Sequence, residues 1–464
     1  MNPRPVSTNN TSLRAAHRQF AIWSVTILGA VVGAGCDRPQ TPVAPPLPAE
    51  AILRVRADDW SEFTMSQDPA KVGWVALPPR SSEPEYQSSI DPQALGILPA
   101  EECADCHQGH THGFLASAHA RTARVADPVS VLGSLQSPDN RVTTGRQGFE
   151  FETFARDSQV IHRLLSAEPG IPSPLDVPIA FAIGSGNHGQ SYLAWHGDQL
   201  CQTPISFLTE ANRWGNSPGV YVDGTADFAR PATARCLDCH NTWFALAPGA
   251  VNRYDKRQNV LGVSCVRCHG PARDHVRYHR QFPNERQPQE IVNPRNLSRE
   301  RANDVCAQCH SGAGESRRPA FTYKPGEPLE KWLAIELDAA DPGNDDPHAA
   351  NQLGRLMRSR CYQQSGTLTC MDCHDAHAQE RGNTKLFSNR CQNCHATADC
   401  GLSEKYTTEL TDRCVECHMP SRRDVHVTSQ GAAGAVMPLL RDHQIGIWPD
   451  VSHAIEAGWK SSAP

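Results

Sequence analysis

One pentapeptide pattern, C-x-x-C-H, occurs seven times in this chain of 464 residues and limits what it can fold into more than any other feature. The copies are CADCH (Cys103, Cys106, His107), CLDCH (Cys236, Cys239, His240), CVRCH (Cys265, Cys268, His269) and CAQCH (Cys306, Cys309, His310). CMDCH (Cys370, Cys373, His374), CQNCH (Cys391, Cys394, His395) and CVECH (Cys414, Cys417, His418) complete the set. A cysteine pair at this spacing is open to three chemistries: a zinc half-site, a dithiol redox pair, or covalent attachment of a c-type haem. A histidine directly after every pair selects the third, since neither of the others requires it. Each motif then supplies two thioethers to a porphyrin and a proximal imidazole to its iron. The reading is seven covalently bound c-type haems.

The composition agrees with that reading. Only 39% of the residues are hydrophobic, which is low for a chain of this length. Porphyrins are broad apolar plates, so seven of them replace much of an aliphatic core and help to offset the ordering entropy of the chain. The 36 prolines and 33 glycines indicate long irregular connections that haem ligation can pin. The formal charge of −6 becomes more negative once propionates are added, which argues against a nucleic-acid partner.

The N-terminus reads as an export signal. Arg4, Arg14, His17 and Arg18 precede the apolar run FAIWSVTILGAVVGAG (residues 20–35), which is short for a membrane span. Ala34 and Gly35 before Cys36 resemble a bacterial lipobox, although Gly33 stands where that motif usually has Leu or Val. The expected layout is a signal peptide (1–35), a lipidated Cys36 with a proline-rich tether (36–55) and an N-terminal extension (56–98). A first haem segment (99–140), a small β-rich segment (141–230), a six-haem cluster (231–450) and a tail (451–464) follow. The destination is an oxidising compartment, the periplasm, with the membrane as a partner through the lipid.

Residues 108–235 separate the first motif from the second, whereas the other six are close together. The gap holds FEFETFA (149–155), QVIHRLL (159–165) and the glycine-rich IAFAIGSGNHGQSYLAW (179–195), which read as strands. A helix is expected over residues 350–362. The fold class is therefore a mainly α and irregular multihaem cytochrome c fold packed around stacked haems, with a small β-rich segment between the first and second motifs.

The motifs leave open what occupies the far face of each iron. His377 follows His374 by three residues, and the two between them span roughly 10 Å at most. That is too short to skirt the porphyrin and reach the far side of the same iron, so His377 as a ligand serves a neighbouring haem. The same holds for His275, six residues after His269. Met371 and Met419 lie in or beside motifs and cannot wrap to the opposite face, and Met357 reads as packing.

Several stretches, taken in order, carry a resemblance. They are SAHA (117–120), IGSGNHGQSYL (183–193), ANRWGNSPG (211–219), CVRCHGPARDHV (265–276), HAANQLGRLMRSRCY (348–362), CMDCHDAH (370–377), CVECHMP (414–420) and RDHQI (441–445). Over about residues 99–446 the chain resembles exported bacterial multihaem c-type cytochromes related to the cytochrome that accepts electrons from hydroxylamine oxidoreductase. The resemblance implies His119, His275, His348, His377, His426 and His443 as distal ligands. His188 looks like a variable position, and His110, His112, His162, His196 and His279 are weaker candidates. Six ligands for seven irons leave one haem capped by a weaker candidate or open. Cys361 and Cys400 match cysteines that flank the motifs in those relatives; a disulfide between them and two free thiols are both open. Cys201 reads as a packed residue.

Two functions compete. The first is electron relay between redox partner proteins, with quinol oxidase-side donors or periplasmic acceptors. The second is a multihaem oxidoreductase acting on a small nitrogen or sulfur species at one five-coordinate haem, with Arg277, His279 and Arg280 as polar groups near it. No C-x-x-C-K motif, the lysine-ligated variant of the pentahaem nitrite reductases, is present. A homo-oligomer with haems paired across subunits is open to either.

Overall fold

The chain between the first and second motifs folds as two antiparallel sheets packed face to face. The computed structural model describes residues 75–76, 78 and 82–462, apart from 169–170, 172, 219–222, 313, 336–349, 407–409 and 426. The expected signal sequence, Cys36 and its tether, His348 and His426 lie outside the described residues. Among the described residues no helix is long and apolar enough to cross a membrane.

The strands are β1 (Val75–Ala76), β2 (Ala123–Val125), β3 (Arg141–Thr143), β4 (Phe149–Arg156), β5 (Gln159–Ser166), β6 (Leu175–Pro178) and β7 (Phe181–Ile183). There follow β8 (Gly189–His196), β9 (Gln199–Gln202), β10 (Ile205–Leu208), β11 (Arg213–Asn216), β12 (Ala226–Asp227), β13 (Trp243–Leu246) and β14 (Tyr254–Val260). One sheet runs β3-β4-β5-β6, and the other β11-β10-β8-β7-β2 with β9 paired to β8. In β4 the alternation is literal: Phe149, Phe151 and Thr153 are buried while Glu150 and Glu152 are half-buried. Side chains two apart on a strand share a face, so both rings point to one side. There they meet Leu164 and Val177 of their own sheet and Ala194 and Ile205 of the facing one. A two-residue turn, with Asp157 at φ 54°, closes the β4–β5 hairpin.

The fifth motif begins in a 3-10 turn (Cys370–Asp372), and the motifs are carried or flanked by short helices. These are α1 (Ala104–Leu115), α2 (Ala234–His240), α3 (Val266–His269), α4 (Arg273–Gln281), α5 (Arg299–His310), α6 (Gln352–Met357), α7 (Arg360–Gln364) and α8 (Thr384–Cys391), then Cys414–His418. Side chains of Thr233, Ser298, Asn351 and Asn383 cap α2, α5, α6 and α8 by accepting from the first free N–H groups. The helix expected over 350–362 is broken into α6 and α7. At the break, the Ser359 hydroxyl accepts from Ile445 N–H (2.7 Å) and donates to the His443 carbonyl (3.2 Å).

The expectation of a mainly α fold is corrected here. Strand and helix contribute comparably, because the long gap buries apolar side chains with a period of two and can do so only as sheet. The multihaem character lies in the helical remainder.

One core position is unusual. His162 of β5 is fully buried between Val160 and Leu164, with its ring edge-on to Tyr192 (5.2 Å) and Trp214 (5.7 Å). Neither ring nitrogen has a hydrogen-bond partner. Burial holds its pKa down at about 3, against an ordinary 6.5. The unfolded chain therefore binds a proton that the folded one refuses, and stability falls as pH drops from 6.5 towards 3. Relative to a His162→Leu variant, the native chain should lose roughly 1 kcal/mol per pH unit below that onset. Denaturation midpoints of the two across that range check this, and parallel slopes would refute it.

Candidate haem-binding sites

Within each motif the backbone makes one helical turn. The histidine N–H donates to the carbonyl of the first cysteine in His269 (2.9 Å), His374 (2.9 Å) and His395 (3.0 Å). Residues i, i+3 and i+4 share a face of such a turn, so both thiols and the imidazole project to one side. That arrangement lets two thioethers and an iron ligand engage the same porphyrin. After His269 the chain leaves the turn through Gly270, whose φ of 84° suits a residue without Cβ.

Four motif histidines have a histidine ring from a separate segment of the chain standing opposite. The rings of His107 and His275 stand 6.2 Å apart between centroids at 17°, and those of His374 and His443 stand 6.2 Å apart at 23°. His269 and His377 are 6.0 Å apart at 24°, and His119 and His310 are 6.2 Å apart at 84°. Two imidazoles bound to one metal on opposite sides need about 2 Å per metal–nitrogen bond and roughly 1.1 Å from nitrogen to ring centre, or about 6 Å in all. All four pairs meet that requirement, and rings in plain van der Waals contact would be closer. Thus His377 faces the histidine of the third motif and not its neighbour His374. His275 faces the first motif, and His119 the fourth.

Acceptors on the other ring nitrogen orient these imidazoles. Nδ1 lies 2.8 Å from Val292 O in His269, 2.8 Å from Gln289 O in His275 and 2.9 Å from Gln352 Oε1 in His310. In His418 it lies 2.8 Å from Gly446 O, and in His443 3.0 Å from Arg441 O. Carbonyl oxygens only accept, so each fixes the proton on Nδ1 and leaves the Nε2 lone pair for a metal. Burial, followed by the facing His310, pushes His119 down to about 4, and burial followed by His443 does the same to His374. His119 and His374 are therefore neutral at neutral pH, the form that binds metal.

Other candidates are placed elsewhere. His240, His395 and His418 have no ring at this spacing among the described residues. His162 lies in the sandwich core, and His188 meets Arg381 (3.2 Å). His110 and His279 pack against His377 (4.8 Å) and His275 (4.6 Å). Arg277 is exposed and paired with Asp274 (3.1 Å), and Arg280 is exposed. Cys361 and Cys400 are both free. Cys361 lies near Cys373 and Cys391, while Cys400 lies near Cys414 and Cys417, so they attend different motifs. Cys201 is a buried packed residue, with burial holding its thiol up at about 12.

Sequence reasoning missed the acceptors, because backbone carbonyls leave no mark in a sequence. It also missed Arg355 and Asp442. The Arg355 guanidinium grips the Asp442 carboxylate with both oxygens engaged (Nε–Oδ1 2.8 Å), at 5% and 0% exposure. The pair ties α6 to the residue next to His443, and both members lie in stretches that carry the resemblance. Asp442→Ala strips the buried guanidinium of this carboxylate and should cost about 3–5 kcal/mol. Denaturant unfolding of the haem-loaded protein measures it, and a loss below about 1 kcal/mol would contradict the assignment.

Residues 222–311, which hold the second, third and fourth motifs, match the family of cytochrome c7 and related cytochrome c. The chain is similar to a solved structure of an outer cell wall cytochrome, OcwA, at 15% identity and a TM-score of 0.48, over 77% of this chain and 81% of that one. No curated protein matches.

Proposed function

We propose that this chain, a multihaem c-type cytochrome, carries seven haems and serves as an exported electron relay. The four imidazole pairs at 6.0–6.2 Å carry the reading, since each combines a motif histidine with one from a segment belonging to a different motif. Bound haem supplies a one-electron couple at its iron. The protein's part would be to hold each iron between two imidazoles: His107 with His275, His310 with His119, His269 with His377, and His374 with His443. His348 and His426 are proposed for two of the three remaining motifs. A doubly ligated iron keeps similar geometry in both redox states, which lowers the reorganisation opposing transfer. Two imidazoles also favour lower potentials than a histidine–methionine pair.

Thiol contacts between motifs support the relay over a set of isolated haems. Cys103 lies beside Cys265, Cys239 beside Cys309, and Cys306 beside Cys370. As thioethers these sulfurs would bring the rims of porphyrins on the first and third, second and fourth, and fourth and fifth motifs together. The fourth motif takes part in two of the contacts, which suits a branched path. Export, lipidation at Cys36, and donors or acceptors among periplasmic redox proteins complete the proposal. An electron source of the hydroxylamine-oxidising type is its furthest extension.

Haem content per chain and the EPR spectrum of the oxidised protein, with and without nitrite, test it. Seven haems and low-spin signals indifferent to nitrite are expected; a high-spin signal that nitrite shifts would favour an oxidoreductase. Ligand removal tests the pairing. His377→Ala should open one iron, and adding His443→Ala should open a second. If the two served the same iron, the double variant would show one high-spin haem only.

A further inference from the structure

The residues between the cysteines of the second, third and fourth motifs interlock through a buried charge. Arg267, inside CVRCH, is 7% exposed, and Asp238, inside CLDCH, is 11% exposed. Nη2 of Arg267 donates to the Asp238 backbone oxygen (2.9 Å) and to its Oδ1 (2.9 Å). Asp238 Oδ1 also accepts from Phe321 N–H (2.8 Å), and Arg235 Nη1 stands 3.5 Å from Oδ2. Gln308, inside CAQCH, donates from Nε2 to the Arg267 carbonyl (3.0 Å), while its own carbonyl accepts from Arg235 Nη1 (3.1 Å). Three motif peptides thus meet at a joint holding two guanidiniums and one carboxylate. The joint has a net positive charge.

Stability does not explain such a joint, because apolar residues of similar volume usually replace a buried ion pair at little or no loss. Its location suggests electrostatics. Arg267 lies within electrostatic reach of Cys239, Cys268 and Cys309, the second cysteine of each of the three motifs. Reduction adds one electron to an iron, and a fixed cation shielded from solvent and salt favours that state. The first motif has the opposite setting, with Glu101, Glu102 and Asp105 around it and exposed to solvent.

We infer that Arg267 is a positioning residue for the electron: it raises the reduction potentials of the haems on the second, third and fourth motifs above those of the rest, so that electrons collect at this joint. The inference rests on the haem reading of residues 222–311 alone and does not need the count of seven.

The test is a spectroelectrochemical titration of the full haem-loaded chain, comparing Arg267→Gln and Asp238→Asn with the native protein. Arg267→Gln removes the cation and should lower the reduction equilibrium of the highest-potential haems about tenfold, which is about 59 mV for one electron. Asp238→Asn removes the anion and should raise it by a similar factor. Shifts of the same sign, or none with haem content intact, would reduce the pair to a structural clasp and overturn the proposal. Should either variant fail to fold, Arg235→Gln removes a positive charge at the edge of the joint without touching the Arg267–Asp238 bonds. A smaller fall is then expected, and no fall would overturn the proposal. A native protein whose 222–311 fragment carries no covalent haem would instead defeat the haem reading itself.

Discussion

The motif region is built around histidine rings that face one another from separate segments of the chain. A C-x-x-C-H turn can place two thiols and one nitrogen on a single side of a plane, and nothing within the turn can reach the other side. A second nitrogen for the same iron would have to come from elsewhere in the chain. His275 leaves α4 to face the first motif, His377 faces the third, His443 the fifth, and His119 the fourth. Each pairing brings two segments far apart in sequence to 6.0–6.2 Å between ring centres.

The sandwich obeys the opposite economy. Phe149, Phe151, Leu164, Ile205 and their neighbours form a core from side chains alone, with register set by pleat and hairpin. His162 shows how strict that interior is: an imidazole without a hydrogen-bond partner is kept neutral by its apolar and aromatic surroundings. In the motif region, by contrast, the rings of His269, His275, His310, His418 and His443 each turn Nδ1 to a carbonyl oxygen. One residue type thus serves as a packed core ring in the sandwich and, at these five positions, as a ring oriented by an acceptor.

Charge adds a further layer to the motif region. Arg355 and Asp442 hold the loop that carries His443, and Arg267 and Asp238 hold the second and third motifs together. Both pairs are nearly excluded from water, where a lost partner leaves a costly orphan charge. The residues inside C-x-x-C-H are free to vary as far as thioether chemistry is concerned. In CLDCH, CVRCH and CAQCH they are taken up by contacts among the motifs themselves.

The sequence by itself determined the chemistry. Seven repeats of two thiols and a histidine at i, i+3 and i+4 admit a covalent porphyrin, and the short reach of two residues keeps His377 off the iron of His374. The strands at 149–156 and 159–166 were legible too, because period-two burial writes itself into FEFETFA and QVIHRLL. Tertiary structure decided what depends on distant partners. It decided that His119 faces His310 from across the first long gap, and that Cys361 and Cys400 attend different motifs. It decided that Ser359 is drawn out of a helix by Ile445 and that backbone oxygens of Val292, Gln289 and Gly446 set the imidazole tautomers. It also overturned the mainly α expectation, since the share of sheet depends on how far neighbouring strands recruit one another into two facing layers. Local spacing fixes which groups can bind; only the path of the whole chain fixes which groups meet.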